Sequence, residues 1–91
     1  MAGEIPTYDL VLKGQVFSPA ELKVKAGEGF RIRMKNDGDT PVELESHDLR
    51  FEKYAVGHST ITVNIKPQKP GSYKFYDDFH PDEVVGLVTV E

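Results

Sequence analysis

The chain has no cysteine. That absence removes disulfides, thiolate zinc sites, iron–sulfur clusters and thiol nucleophiles at once, because each depends on sulfur chemistry that no other side chain supplies. It also has no run of Lys and Arg: 11 basic residues stand against 15 acidic ones, for a formal net charge of −4. The basic face that neutralises phosphates in nucleic-acid recognition is therefore missing, and no nucleic-acid partner is expected. Cations or basic protein surfaces are the partners such a charge favours. No apolar stretch approaches the roughly 20 residues of a membrane span, so the chain is not read as membrane-embedded. Met1-Ala2-Gly3-Glu4-Ile5-Pro6 lacks both the basic start and the apolar centre of a signal peptide. Because it begins abruptly before a strand, the sequence reads equally as a mature domain whose export signal was cut away. Catalytic signatures are missing as well. No Gly-x-Ser-x-Gly elbow and no glycine-rich phosphate loop occurs, and the chain is not read as a stand-alone enzyme.

What is present is alternation. At 91 residues the chain fits one domain, 1–91, able to bury roughly 60% of its unfolded surface. No helical period persists for the 10 to 12 residues or so that a helix needs. Phe30, Ile32 and Met34 alternate with Arg31, Arg33 and Lys35; Ile61, Val63 and Ile65 alternate with Thr60, Thr62 and Asn64; Leu22 and Val24 repeat the pattern. Each reads as a half-buried strand. Tyr8 to Phe17, Val42 to Ser46, Ser72 to Tyr76 and Val84 to Val90 supply four more. Turn-forming clusters separate them at Ser18-Pro19, Ala26-Gly27-Glu28-Gly29, Asn36-Asp37-Gly38-Asp39 and Lys66-Pro67-Gln68-Lys69-Pro70-Gly71. The pattern predicts an all-β, antiparallel Greek-key sandwich or barrel of about seven to eight strands. His47 to Gly57 is the least regular stretch, expected as a crossover between sheets or a single helical turn. Loop parity in an antiparallel fold puts the 66–71 turn at one pole and the 77–83 loop and His58 at the other; whether the 37–41 loop shares that second pole is left open by the sequence.

The order of Ser18-Pro19, Ala26-Gly27, a strand ending in Asn36, Pro70-Gly71-Ser72-Tyr73-Lys74-Phe75-Tyr76 and Gly86-Leu87-Val88-Thr89-Val90 resembles the cupredoxin family over nearly the whole chain. Within that superfamily, Val42-Glu43-Leu44-Glu45-Ser46, Glu52-Lys53 and Phe79-His80-Pro81 resemble the cysteine-less, cupredoxin-like proteins of Ftr-type bacterial ferrous iron uptake. The resemblance implies a cupredoxin-like fold in which the Asn36 and Asp77 loops meet at one pole. It places Asp77 where the copper thiolate would stand, His80 at the second histidine, Val84 or Val85 at the axial methionine, and the first histidine near Val42 or Glu43. A blue-copper centre needs a thiolate beside two imidazoles, so it is not expected. The resemblance further implies a periplasmic location, a periplasmic iron-binding partner and an inner-membrane iron permease.

The metal site expected from these residues comprises Glu43, Asp77 and His80, with Glu45 and Asp78 as nearby carboxylates. Hard oxygens plus one imidazole suit copper(II) or an iron ion. The plainer reading is a solvated acidic loop around His80 and a solvent-facing strand edge at Glu43 and Glu45. Strand rise separates Glu43 from Glu45 by about 7 Å; Glu45, Glu52 and His47 compose a second, lateral possibility, and His58 reads as surface. Tyr76 reads first as a packing aromatic, with orientation of a carboxylate through its hydroxyl as the alternative. The function expected is a metal-binding accessory of ferrous iron uptake, assisting Fe(II) oxidation or handover to a permease. The alternative is a metal-free β-sandwich that docks a partner through its acidic pole.

Overall fold

Where side chains alternate between core and water, strands form; the remaining question is how they pair. In the computed structural model, which describes residues 5–91, β1 (Thr7–Lys13), β2 (Val16–Ser18), β4 (Phe30–Asn36) and β7 (Thr60–Ile65) make one sheet in the order β2-β1-β4-β7. The second sheet runs β3-β9-β8-β5-β6, from β3 (Glu21–Val24), β9 (Val85–Val90), β8 (Gly71–Asp77), β5 (Val42–Ser46) and β6 (Phe51–Ala55). Residues 1–4, part of the segment tested for an export signal, lie outside the described residues.

The sandwich is the architecture expected, with three differences. Its sheets are mixed rather than purely antiparallel, because β1 pairs parallel with β4 and β3 parallel with β9. Parallel neighbours need a crossover instead of a hairpin, and here the chain reaches each such partner only after visiting the other sheet. Second, the run from Tyr8 to Phe17 is two strands. Gly14 and Gln15 both take positive φ, 58° and 63°, which makes a two-residue hairpin loop of the type whose twist matches its flanking strands. Third, His47 to Gly57 is neither a bare crossover nor a helical turn, since it holds β6, paired antiparallel with β5. β6 is an edge strand with three consecutive exposed residues, Glu52 to Tyr54, so its sequence carries no alternation to read.

The core lies between the sheets. Phe30, Phe75, Leu10, Ile32, Met34, Leu44, Val84 and Val88 are fully buried, and the Phe17 ring meets Phe75 edge to face at 4.9 Å. The poles sort as the family resemblance implied. At one, Gly27 N–H donates to Gln68 O (3.0 Å). At the other, Asp37 N–H reaches Leu12 O (2.9 Å), His58 N–H reaches Gly38 O (3.0 Å) and Asp78 N–H reaches Glu43 O (2.8 Å). Buried Asn36 closes this pole: its amide nitrogen donates toward Thr40 O at 2.9 Å and toward Ala55 O and Val56 O at 3.2 Å.

Gly86 lies directly under the Phe75 ring, and any β-carbon there would collide with it. Gly86→Ala is expected to lower unfolding free energy by about 1–3 kcal/mol through overpacking, read by urea denaturation.

Candidate metal centre

The pleat of β5 decides which acids meet. Val42, Leu44 and Ser46 point into the core, so Glu43 and Glu45 point out from the five-stranded sheet. Across the ladders, Glu45 sits opposite Tyr76 on β8 and opposite Glu52 on β6, and Glu43 sits opposite Tyr54. The Asp78 N–H bond to Glu43 O brings a third acid beside the first two. Carboxylate oxygens of Glu43, Glu45 and Asp78 lie within 4.8 Å of one another. Tyr76 Oη donates to Glu45 Oε2 at 3.3 Å. Among the described residues, no lysine or arginine forms an ion pair with Glu43, Glu45, Glu52 or Asp78.

Uncompensated like charge leaves a thermodynamic mark. Desolvation, then the charges of Glu52, Asp78 and Glu45, raise the Glu43 carboxyl above its ordinary range. Desolvation and then Asp78 raise Glu45, with the Tyr76 hydroxyl pulling the other way. Tyr76 is itself raised, by desolvation and then by Glu45. A carboxyl whose folded pKa is raised adds stability that is fully present below its unfolded pKa and is lost as pH rises through the folded value. The metal-free protein is therefore expected to lose stability as pH climbs from the ordinary Glu range toward neutrality. Glu45→Gln is expected to raise its melting temperature near pH 7 and to flatten that pH dependence, as followed by thermal denaturation across pH.

The expected set divides in two. Glu43, Glu45 and Asp78 converge, whereas Asp77 and His80 belong to the pole. Asp77 is the register partner of inward-facing Leu44 and is only 5% exposed, so pleat parity turns its side chain away from Glu43's. Its Oδ1 accepts two backbone bonds, from Glu43 N–H and Phe79 N–H, each 3.1 Å. His80 is exposed, and its carbonyl receives Glu83 N–H (3.2 Å) and Val84 N–H (3.0 Å). Together with Gly14, Asn36, Pro41 and Val42, these two residues line a cavity of about 170 Å³.

The other candidates stand apart. His58 Nε2 lies 2.6 Å from Asp39 Oδ1, which engages that imidazole in joining two loops. His47 borders an open depression of about 480 Å³ with Glu45 and Glu52, the lateral grouping the sequence suggested. Of the two positions implied for the axial methionine, Val84 is buried and Val85 exposed; neither has a donor atom. The sequence did not disclose the Tyr54–Phe79 pair, whose rings meet edge to face at 6.4 Å. The only signal available was an apolar Phe79 inside an acidic loop.

A two-sheet sandwich, of nine strands among the described residues, whose 36–42 and 77–84 loops gather at one pole has the architecture of the copper-binding sandwich proteins. A family model for the cupredoxin-like domain matches residues 2–90, and the chain belongs to that family. An uncharacterized protein of Rickettsia prowazekii (strain Madrid E) is 36% identical over 81 residues, 89% of this chain and 65% of that protein, so the chain spans just under two thirds of that relative's length. The metal-binding domain of the Cu(I)-exporting P-type ATPase of Streptococcus pneumoniae, solved with Cu(I), superposes with a TM-score of 0.87 at 14% identity, over 100% of this chain and 90% of that one. Auracyanin A, a blue copper protein of Chloroflexus aurantiacus, gives 0.82 at 19% identity, over 97% and 100%. A purple cupredoxin of Nitrosopumilus maritimus gives 0.70 at 24%, over 91% and 98%. At these identities it is the fold that is shared.

The donors present do not fit a blue-copper ion. With no cysteine in the chain, the thiolate that such a centre requires is unavailable, and Asp77 Oδ1 is engaged by two amides. Asp77→Ala strands those amides and is expected to cost about 2–4 kcal/mol. Asp77→Asn, which keeps the accepting oxygen, recovers most of that loss; urea unfolding of both variants checks this.

Proposed function

We propose that this protein is a metal-binding, cupredoxin-like accessory of ferrous iron uptake that works in the periplasm and holds a copper or iron ion through Glu43, Glu45 and Asp78, with Glu52 and Tyr76 alongside. The observation that carries the reading is the convergence of three carboxylates within 4.8 Å, with no basic residue paired to them among the described residues. Such a cluster raises the energy of the metal-free protein, and a cation that accepts those oxygens offsets the repulsion. The fold supports a metal-binding type of role, since structural neighbours by their own descriptions bind copper. Resemblance at Val42–Ser46 and Phe79-His80-Pro81 supports the narrower assignment to iron uptake, beside a periplasmic iron-binding partner and an inner-membrane permease.

Chemistry narrows what the cluster does. Hard oxygen donors favour hard, highly charged ions, so this set binds Fe(III) more tightly than Fe(II) and suits holding iron at its oxidised level for handover. Asp77 and His80 serve the pole in this reading, Asp77 by tying β5 to the loop that presents Asp78.

Calorimetric titration with Cu(II), Fe(III)–citrate and, under anaerobic conditions, Fe(II) tests the assignment. Glu43→Gln/Glu45→Gln is expected to weaken binding at least about tenfold, the equivalent of 1.4 kcal/mol, while His80→Ala leaves it unchanged. The opposite pattern moves the ion to the pole. An intense blue band on adding copper overturns the oxygen-donor assignment.

A further inference from the structure

Beside the carboxylates stand two exposed aromatic rings that metal binding does not use. Tyr54 is 54% exposed and Phe79 49%, yet they come from separate elements, edge strand β6 and the loop after β8, and meet edge to face at an interplanar angle of 85°. Tyr54 lies directly opposite Glu43 in the β5–β6 register, and Glu52 opposite Glu45. Aromatic faces thus adjoin ionisable oxygens on the unpartnered outer face of the five-stranded sheet. Single exposed apolar residues are ordinary on protein surfaces. Two that hold each other in a fixed geometry are organised before any partner arrives, which reduces the ordering cost of binding.

We infer that this face, Tyr54 and Phe79 rimmed by Glu43, Glu45, Glu52 and Asp78, docks an arginine-bearing surface of a partner protein. Charge selects the sign: the rim is acidic, and Asp78, Glu43, Glu45 and Glu52 have no intramolecular base paired to them among the described residues. Shape selects arginine over lysine. A guanidinium is planar, lies flat on an aromatic ring and presents a fork of donors to a carboxylate, whereas an ammonium is a compact, strongly hydrated point charge. Tyr54 beside Glu43 offers both halves of that recognition on neighbouring strands.

A second copy of the chain fits less well. Its net charge is −4, so two copies repel, and two of its three arginines are engaged internally: Arg33 forks onto Asp9 at 2.6 and 3.1 Å, and Arg31 Nε donates to Asn64 Oδ1 at 2.9 Å, which leaves only exposed Arg50 to offer. An anionic lipid surface is repelled by the same acidic rim. The proposal goes beyond the metal-binding reading and does not depend on it, because docking needs no ion.

The test uses a fluorescently labelled peptide of alternating arginine and serine, and its lysine counterpart, titrated with the whole chain at low ionic strength in the presence of chelator. Fluorescence anisotropy is expected to show the arginine peptide bound several-fold more tightly than the lysine one, with affinity falling as salt is added. Tyr54→Ala/Phe79→Ala is expected to weaken it at least about tenfold, the size of a buried aromatic anchor. Unchanged thermal unfolding of that variant shows that the face, not the fold, was altered. Equal binding by wild type and the double variant overturns the proposal, as does indifference between the two peptides. Sedimentation that shows a dimer abolished by the same pair of substitutions overturns it in favour of a second copy, and flotation with phosphatidylglycerol vesicles overturns it in favour of a membrane. Retained metal binding alongside any of these failures leaves the metal-binding reading standing alone.

Discussion

The carboxylate of Asp77 fixes the geometry on which the candidate site depends. One buried oxygen takes the backbone N–H groups of Glu43 and Phe79, so a single side chain clamps β5 to the loop that leaves β8. The same clamp orients its neighbours. With Glu43 and Phe79 held, Asp78 N–H reaches back to the Glu43 carbonyl, and Asp78 and Phe79 emerge beside Glu43 and Tyr54. Charge-assisted bonds of this kind are among the stronger ones a fold can make. The residue that the family resemblance places at the copper thiolate's position is used to hold backbone.

Next to that clamp lies an arrangement that a sequence selected for stability alone would avoid. Like charges placed directly opposite on adjacent strands are destabilising, yet Glu45 faces Glu52, and Glu43 and Asp78 crowd the same few ångströms. Desolvation first, and that conflict after it, raise the carboxyls of Glu43 and Glu45. Where opposite charges do meet elsewhere among the described residues they pair, as Arg33 forks onto Asp9. Local conflict inside an otherwise consistent fold is where function is to be sought. Lys74 Nζ lies over the Tyr76 ring at 5.7 Å without pairing to these acids, and both readings of this face, cation site and arginine dock, supply a positive charge in direct contact with them.

Particular residues show how far the sequence reached. Phe30 to Lys35 and Ile61 to Ile65 are legible because each has one wet and one dry face, and the period of two states this outright. β6 is not, because an edge strand exposed on successive residues gives no period. The parallel pairings of β1 with β4 and β3 with β9 are hidden for another reason: a strand's sequence records which of its faces is buried, but not the direction of its neighbour. Among site residues, Glu43, Glu45 and Asp78 can each be picked out individually, and Tyr76 does orient a carboxylate as its position suggests. The turning of Asp77 away from Glu43 is invisible, since two residues near one pole in the chain's topology can still lie on opposite faces of a pleated sheet.

Composition and alternation alone determined that this is an all-β protein with an acidic surface and no thiolate chemistry, because burial periodicity and the inventory of donor atoms are written residue by residue. Which acids meet was decided only by the tertiary structure. Register and pleat are collective properties of paired strands: they turn Glu43 and Glu45 outward to Asp78 and turn Asp77 inward to two amides, a sorting that comes from which strand lies beside which.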